Sequence, residues 1–294
     1  MILCAILTYN RLELLKRCID NVFQQNLRID KLLVIDNGST DGTSDYLKSS
    51  HIKHITLPKG GSAQGWDAAI CYANKHKYEF IWLMDDDGFP HKDALKNLMN
   101  SFDESIDCLS STVIDIDNHN DLVFPLPKVK NGLPVFFQFF KRVRKLSDFK
   151  NKYYNFVHFF NGSLFRTSAF RKIGGVNLEF YHHGVEIELY YRLIKNNSKI
   201  FTINDALHFH PNVSQRPITK MWVYFYLKNS IIIDLEFLDY KIFRVLSKIF
   251  MTLLRIYKRN GLLSLFSYLL GKNSKIFYSA IYNGINKKMI NLGI

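Results

Sequence analysis

The sequence predicts an α/β fold, a mostly parallel sheet with helices on both faces, followed by a C-terminal helical region rich in basic residues. Three observations carry this expectation. Short apolar runs alternate with stretches of helical period through the first hundred residues. Polar clusters stand where those runs stop, at TYNR (8–11), DNGSTDG (36–42) and DDD (85–87), and ligands of such sheets gather beyond the carboxyl ends of the strands. Charge is segregated: the chain carries a net charge of +13, and residues 241–294 hold ten Lys or Arg and no Asp or Glu.

Taken in order, ILCAILTY (2–9) reads as a buried strand and RLELLKRCIDNVFQQ (11–25) as an amphipathic helix with apolar positions three and four apart. KLLVIDNGSTDGT (31–43) is a strand running into a turn, and TSDYLKSS (43–50) a short helix with a hydroxyl N-cap. IKHITL (52–57) is a third strand, SAQGWDAAICYANKH (62–76) a helix, YEFIWLMDDD (78–87) a fourth strand and KDALKNLMNSF (92–102) a helix. Residues 120–160 read as irregular, rich in aromatic and basic side chains, reaching over the site. TSAFRKIGG (167–175) is a helix stopped by Gly174 and Gly175. VEIELYYRLIKNN (185–197) is a further helix, KIFTI (199–203) a strand, and TKMWVYFYLKNSIIIDLEFL (219–238) a long helix. The expected division is an α/β domain over 1–215, in two halves (1–120 and 121–215), and a helical, basic region over 216–294.

Apolar residues make up 47% of the 294, enough for a large core and against wholesale disorder. The excess of positive charge asks for an anionic partner. Cys4, Cys18, Cys71 and Cys108 are scattered with no metal-binding spacing. The opening residues lack the basic segment of a signal peptide, and no run approaches the ~20 apolar residues of a membrane-spanning helix. A cytoplasmic protein, peripheral on the inner face of the cell membrane, is expected.

Chemistry concentrates at FIWLMDDDGFP (80–90), where an apolar run ends in three adjacent carboxylates, Asp85, Asp86 and Asp87. Side-by-side carboxylates at a strand end are hard-oxygen ligands for Mg²⁺ or Mn²⁺, and such ions keep open positions for phosphates. A nucleotide diphosphate is the natural third party. The bland alternative is a polar turn on Asp87-Gly88.

These stretches together resemble a family 2 glycosyltransferase of GT-A fold over residues 2 to about 235. ILTYNR resembles the family's opening strand and turn, VIDNGSTDGT its nucleoside signature, and KGGSAQGWDAA its Gly-rich run, with departures at Lys59, Asp67 and Ala69. Asp85–Asp87 resemble the D-x-D metal motif. The resemblance implies donor binding by Thr8, Arg11, Asp36, Asn37, Gly65, Trp66, Asp67 and Asp86, with Arg11 near the diphosphate. It implies a metal held by Asp85, Asp87 and a histidine about two dozen residues past the base. His210, twenty-four residues after Glu186, has that place, with His208 as second choice. At the acidic motif of the second half the sequence reads Val185, Glu186, Ile187, Glu188, which puts Glu186 in the position of the catalytic base. Glu188 stands about 200° further round the helix and is assigned with His182 and His183 to the acceptor. Tyr226, Lys228 and Asn229 resemble the family's aromatic helix, for which core packing is the alternative.

The implied reaction is inverting transfer from a UDP- or dTDP-sugar to a lipid-linked or surface glycan, as in O-antigen or capsule synthesis. DDD preceded by Trp82 and Met84 resembles galactofuranosyltransferases, so UDP-galactofuranose is the first donor and dTDP-rhamnose the second. Two rivals fare worse. A haloacid-dehalogenase-like phosphohydrolase wants Thr at Phe89 and its motif on the first strand. A nucleic-acid-binding protein leaves the carboxylates unexplained, and no nucleic-acid partner is expected. The tail KIFRVLSKIFMTLLRIYKR (241–259) reads as an amphipathic helix lying on an anionic membrane; the alternative is a helical subdomain, packed on the catalytic domain or self-associating as a homo-oligomer.

Overall fold

The computed structural model describes residues 1–138, 140–213 and 216–289. The chain divides into two compact units: Met1–Val176 with Leu189–Asn212, and Asn177–Glu188 with Val213–Ile294. This differs from the expected boundary in one respect, since residues 177–188 group with the C-terminal helices. The expected boundary at 215 itself lies outside the described residues.

In the first unit, β1 (Ile2–Thr8), α1 (Leu12–Phe23), β2 (Lys31–Asp36), α2 (Thr43–Ser49), β3 (His54–Thr56), α3 (Ser62–Lys75) and β4 (Phe80–Asp85) follow the alternation read from the sequence. Then come β5 (Phe89–Pro90), α4 (Ala94–Asn100), β6 (Cys108–Asp115) and β7 (Asp121–Pro127), with a small hairpin of β8 (Val129–Lys130) and β9 (Leu133–Pro134). β10 (Arg142–Lys145), β11 (Tyr153–Tyr154), β12 (Asn161–Arg166), α5 (Thr167–Ile173), α6 (Val185–Lys195), whose residues up to Glu188 belong to the second unit, and β13 (Ile200–His210) follow. The main sheet runs β10-β7-β6-β12-β4-β1-β2-β3, with β13 joined to β5, β6 and β11. β1, β2, β3 and β4 are mutually parallel, whereas β12 lies antiparallel between β4 and β6. The sheet is therefore mixed. β1 is buried along its whole length, as an inner parallel strand between helical layers must be. The amphipathic α1 supplies Leu15, Cys18, Ile19 and Val22 to the core beneath it.

Residues 120–160 correct the sequence expectation: among the described residues they hold five short strands rather than irregular chain. Pro125 and Pro127 inside β7 lack ladder donors and mask its strand character. β13 is also longer than KIFTI suggests. It slips register against β6 between Ile203 and Leu207, then pairs on to His210; polar Asn204 and Asp205 occupy that irregularity and hide the continuation.

The second unit is built on α7 (Lys220–Phe237), which is buried nearly all round. α8 (Lys241–Asn260) and α10 (Ser274–Ile285) pack on it, and α9 (Leu262–Leu269) links them. Its core joins Tyr224, Leu227 and Ile231 of α7 to Ile256, Tyr268, Phe277 and Ala280. Gly284 lets α10 approach closely, because a Cβ there would stand 2.9 Å from Ile231 Cβ. The inward side of the basic tail is thus part of a helical subdomain. Among the described residues no helix is long and apolar enough to cross a membrane.

Candidate active site

Parallel pairing aligns the carboxyl ends of three strands, with Thr8 opposite Asp36 and Leu7 opposite Asp85. The turns that leave these ends carry most of the expected donor residues. Asp36 is fully buried. One oxygen accepts the Ser39 amide at 2.9 Å and the other accepts the Ser44 hydroxyl. Its carboxylate thus builds the loop rather than facing outward. Asn37 donates through Nδ2 to the Gly60 carbonyl at 2.9 Å, while its buried Oδ1 has no partner among the described residues. Asn37 Oδ1 therefore has acceptor capacity left for a ligand, and each Asp36 oxygen keeps a further lone pair. Gly38 adopts φ +80, and a Cβ there would lie 2.8 Å from the Lys59 nitrogen, so the turn demands glycine.

The two loops are stitched together. Asn10 Oδ1 accepts the Thr40 amide at 2.6 Å, and the Asn10 amide donates to Ser39 Oγ at 2.9 Å. Asp41 accepts from the Leu12 amide at 3.1 Å and from the Thr43 hydroxyl at 2.6 Å. Burial works against its charge, but these bonds hold its carboxyl below the ordinary range.

The three carboxylates have different surroundings. Asp85 ends β4, half-buried, and its amide donates to Phe160 O at 2.8 Å. Asp86 is buried; it accepts from Thr8 Oγ1 at 2.6 Å and from Arg11 Nη1 at 3.0 Å. Burial raises its pKa, against the opposing pull of Thr8 and Arg11. Asp87 is the hub. Its Oδ2 lies 3.0 Å from Arg11 Nη1 and its Oδ1 3.1 Å from His210 Nε2. Arg17, on α1, donates Nη2 to the Asp87 carbonyl at 3.0 Å and stacks over Phe89 at 4.6 Å. Arg17 was not legible as a site residue, because its partner is a backbone carbonyl seventy residues away.

His210 bears on the question of a metal. Its Nδ1 lies 2.7 Å from the Pro211 carbonyl, which only accepts, so Nδ1 carries the proton. Its Nε2 lies beside the Asp87 carboxylate oxygen, and an imidazole nitrogen next to a carboxylate oxygen is a ligand pair suited to Mn²⁺ or Mg²⁺. Asp87 and His210 therefore fit a metal completed by oxygens of a ligand. Among the described residues no group of three or more His, Cys, Asp or Glu gathers as a metal cage.

His208, the second-choice ligand, is wholly buried, and neither ring nitrogen has a hydrogen-bond partner among the described residues. A Cβ on Gly88 would come within 2.3 Å of its Nε2, and one on Gly162 within 3.0 Å of its Nδ1. It is wedged between two glycines, and burial pushes its pKa down to about 3. The structure makes it a packing element under the carboxylate turn. Gly65 and Trp66 are likewise internal: Gly65 lets α3 approach Leu7, and Trp66, 1% exposed, stacks on Phe160 at 4.2 Å. Asp67 is half-buried and accepts from Cys71 Sγ at 3.8 Å.

The second unit holds the remaining candidates. Glu186 lies in the first turn of α6, half-buried, and burial raises its carboxyl pKa. Glu188 is buried, and its amide donates to the Gly184 carbonyl at 2.8 Å. The entry to α6 is held from α7. Asn229, fully buried, donates Nδ2 to the carbonyls of His182 at 2.7 Å and His183 at 2.6 Å. Gly184, at φ +94, would bring a Cβ to 3.2 Å from Asn229 Cβ. The His182 ring lies edge-on to Phe225 and the His183 ring edge-on to Trp222. Asn229 thus positions the segment before Glu186.

A strand-end carboxylate turn at the carboxyl edge of a parallel half-sheet agrees with a glycosyltransferase. Residues 4–174 match the profile of Glycosyl transferase family 2, and the chain belongs to that family. Galactofuranosyltransferase GlfT1 of Mycolicibacterium smegmatis is 28% identical over 218 residues, covering 71% of each chain. Among solved structures, S. aureus TarS in complex with UDP-GlcNAc aligns with a TM-score of 0.58 at 14% identity, over 98% of this chain and 88% of that one. The mannosyltransferase PcManGT from Pyrobaculum calidifontis, in complex with GDP-Man and Mn²⁺, aligns with a TM-score of 0.55 at 13% identity, over 98% of this chain and 86% of that one. These likenesses identify the GT-A fold.

Proposed function

We propose that the chain is an inverting, metal-dependent galactofuranosyltransferase, using UDP-galactofuranose and a hydroxyl of a lipid-linked glycan on the inner face of the cell membrane. The observation that carries the metal-dependent transfer is the Asp87–His210 pair with Arg11 on the same carboxylate. The similarity to a galactofuranosyltransferase supports the donor.

Asn37 Oδ1 accepts from the nucleoside, and Arg11 turns from Asp86 and Asp87 toward the diphosphate. Asp87 and His210, with Asp85 in the same turn, would hold Mn²⁺ or Mg²⁺, and the ion would supply charge neutralisation for the diphosphate. Glu186 takes the acceptor's hydroxyl proton as that oxygen bonds to the anomeric carbon. The bond from that carbon to the diphosphate breaks, and UDP leaves with the electron pair. Burial raises the Glu186 carboxyl, which makes it a stronger base than an ordinary carboxylate. His182, His183 and Glu188 shape the acceptor side, and residues 1–215 and 216–294 act as catalytic and membrane-proximal regions.

The test is mass-spectrometric screening of UDP-galactofuranose, UDP-galactose and dTDP-rhamnose, with Mn²⁺, Mg²⁺ or a chelator. Donor consumption restricted to UDP-galactofuranose and abolished by chelation is expected. Full turnover in chelator sinks the metal assignment, and preference for dTDP-rhamnose sinks the donor.

A further inference from the structure

Helices that cover a core normally turn a polar face outward. α9 does not. Its inward side packs Leu265, Tyr268 and Leu269 into the core of the second unit. Its outward side shows Leu263 at 87%, Phe266 at 52% and Leu270 at 84% exposure, and its eight residues LLSLFSYL include no charge. The preceding α8 has the same character. Thr252 and Ile256 face inward, while Phe243, Leu246 and Phe250, spaced three and four apart, form a second exposed stripe at 61%, 58% and 63%. These side chains need an apolar phase that the described residues do not provide.

Charge identifies that phase. Residues 241–294 carry ten Lys or Arg and no acid. Exposed Lys258 precedes α9 and exposed Lys272 follows it. A second copy of this face would meet its own positive charge, whereas an anionic bilayer complements it. No described helix is long and apolar enough to span, so the geometry is that of helices lying in the interface.

We propose that the outward faces of α8 and α9 form a docking surface for an anionic lipid bilayer, with α9 as the inserted element. Apolar side chains enter the acyl boundary while Lys258 and Lys272 reach phosphate headgroups, each basic residue strengthening partition about fivefold. The inference deepens the proposed reaction by bringing the enzyme to a lipid-linked acceptor, but its test does not depend on catalysis.

The full chain is floated with vesicles of phosphatidylcholine alone and of phosphatidylcholine containing phosphatidylglycerol. Binding is expected to the anionic vesicles and to weaken with salt. The double variant Leu263→Glu with Leu270→Glu should lose about tenfold or more in partition, with unchanged circular dichroism, because both side chains are exposed. Lys258→Glu with Lys272→Glu should lose the preference for phosphatidylglycerol. Transfer to a water-soluble acceptor should persist in both variants, so failure of docking and failure of the proposed chemistry are read separately. Undiminished flotation of the leucine variant overturns the proposal. So does a chain that never floats but self-associates until those leucines are changed, which assigns the face to a second copy.

Discussion

Replacing Asn229 separates a positioning amide from ordinary core packing. Its Nδ2 makes two short bonds, to the carbonyls of His182 and His183, in a fully buried setting. Asn229→Leu keeps the volume and removes the donor from both. At about 1–2 kcal/mol for each buried acceptor left without its partner, the loss is about 3 kcal/mol. For a chain of this size that is roughly a 5 °C fall in Tm. Asn229→Asp keeps the shape but sets a third acceptor against two carbonyls. Its folded-state pKa must then rise, so the folded protein binds the proton more tightly than the unfolded chain. Stability should be least impaired in acid and decline as pH climbs above the unfolded value of about 4. Chemical denaturation of the three proteins across pH measures both effects. If Asn229→Leu lies within about 0.5 kcal/mol of the parent, or Asn229→Asp shows no added pH dependence, the amide is not what holds the entry to α6.

Other perturbations reach the chemistry directly. Asp87→Asn should reduce transfer about a hundredfold or more and raise the Mn²⁺ concentration required, because it weakens the carboxylate shared by Arg11 and His210; unaltered metal titration would contradict this. Glu186→Gln should bind UDP-sugar normally, as measured by calorimetry, yet lose about a hundred- to ten-thousandfold in kcat, while Glu188→Gln is milder. Because burial raises the Glu186 carboxyl and a base acts when ionised, kcat/KM should rise with pH through a value above the ordinary carboxylate range; a limb unchanged in Glu186→Gln belongs to another group. Gly88→Ala drives a methyl to 2.3 Å from His208 Nε2 and should cost about 2 kcal/mol. His208→Ala should restore part of that loss in a double-mutant cycle, and strict additivity would show the two do not press on each other.

The elements readable from sequence are those whose chemistry is local. The apolar run of β4 ending in Asp85, and the three-and-four spacing of Leu15, Cys18, Ile19 and Val22 in α1, each declare themselves within one stretch. β7 was obscured by two prolines, and the far end of β13 by the polar residues at its register slip. The site was less legible because its partners are remote. Asp87 and His210 stand 123 residues apart, and only the family resemblance linked them. Arg17 and Asn229 act on backbone carbonyls, which have no sequence signature. Trp66 looked like a donor contact in a Gly-rich run, yet its stacking on Phe160 depends on where β12 begins.

The stitching of the first two loops bears on how a nucleotide would be received. Asn10, Ser39, Thr40 and Asp41 tie the turn after β1 to the turn after β2 before any ligand arrives. Conformational freedom that a slack loop would surrender on capture has already been surrendered during folding. Nucleotide association with this half of the site should therefore resemble a rigid encounter: fast, and with a heat-capacity change no larger than the contact area itself requires. On the proposed reading, selectivity for the base would reside in a preset contour, and substitutions that loosen the stitches should slow capture before they alter which nucleotide is preferred.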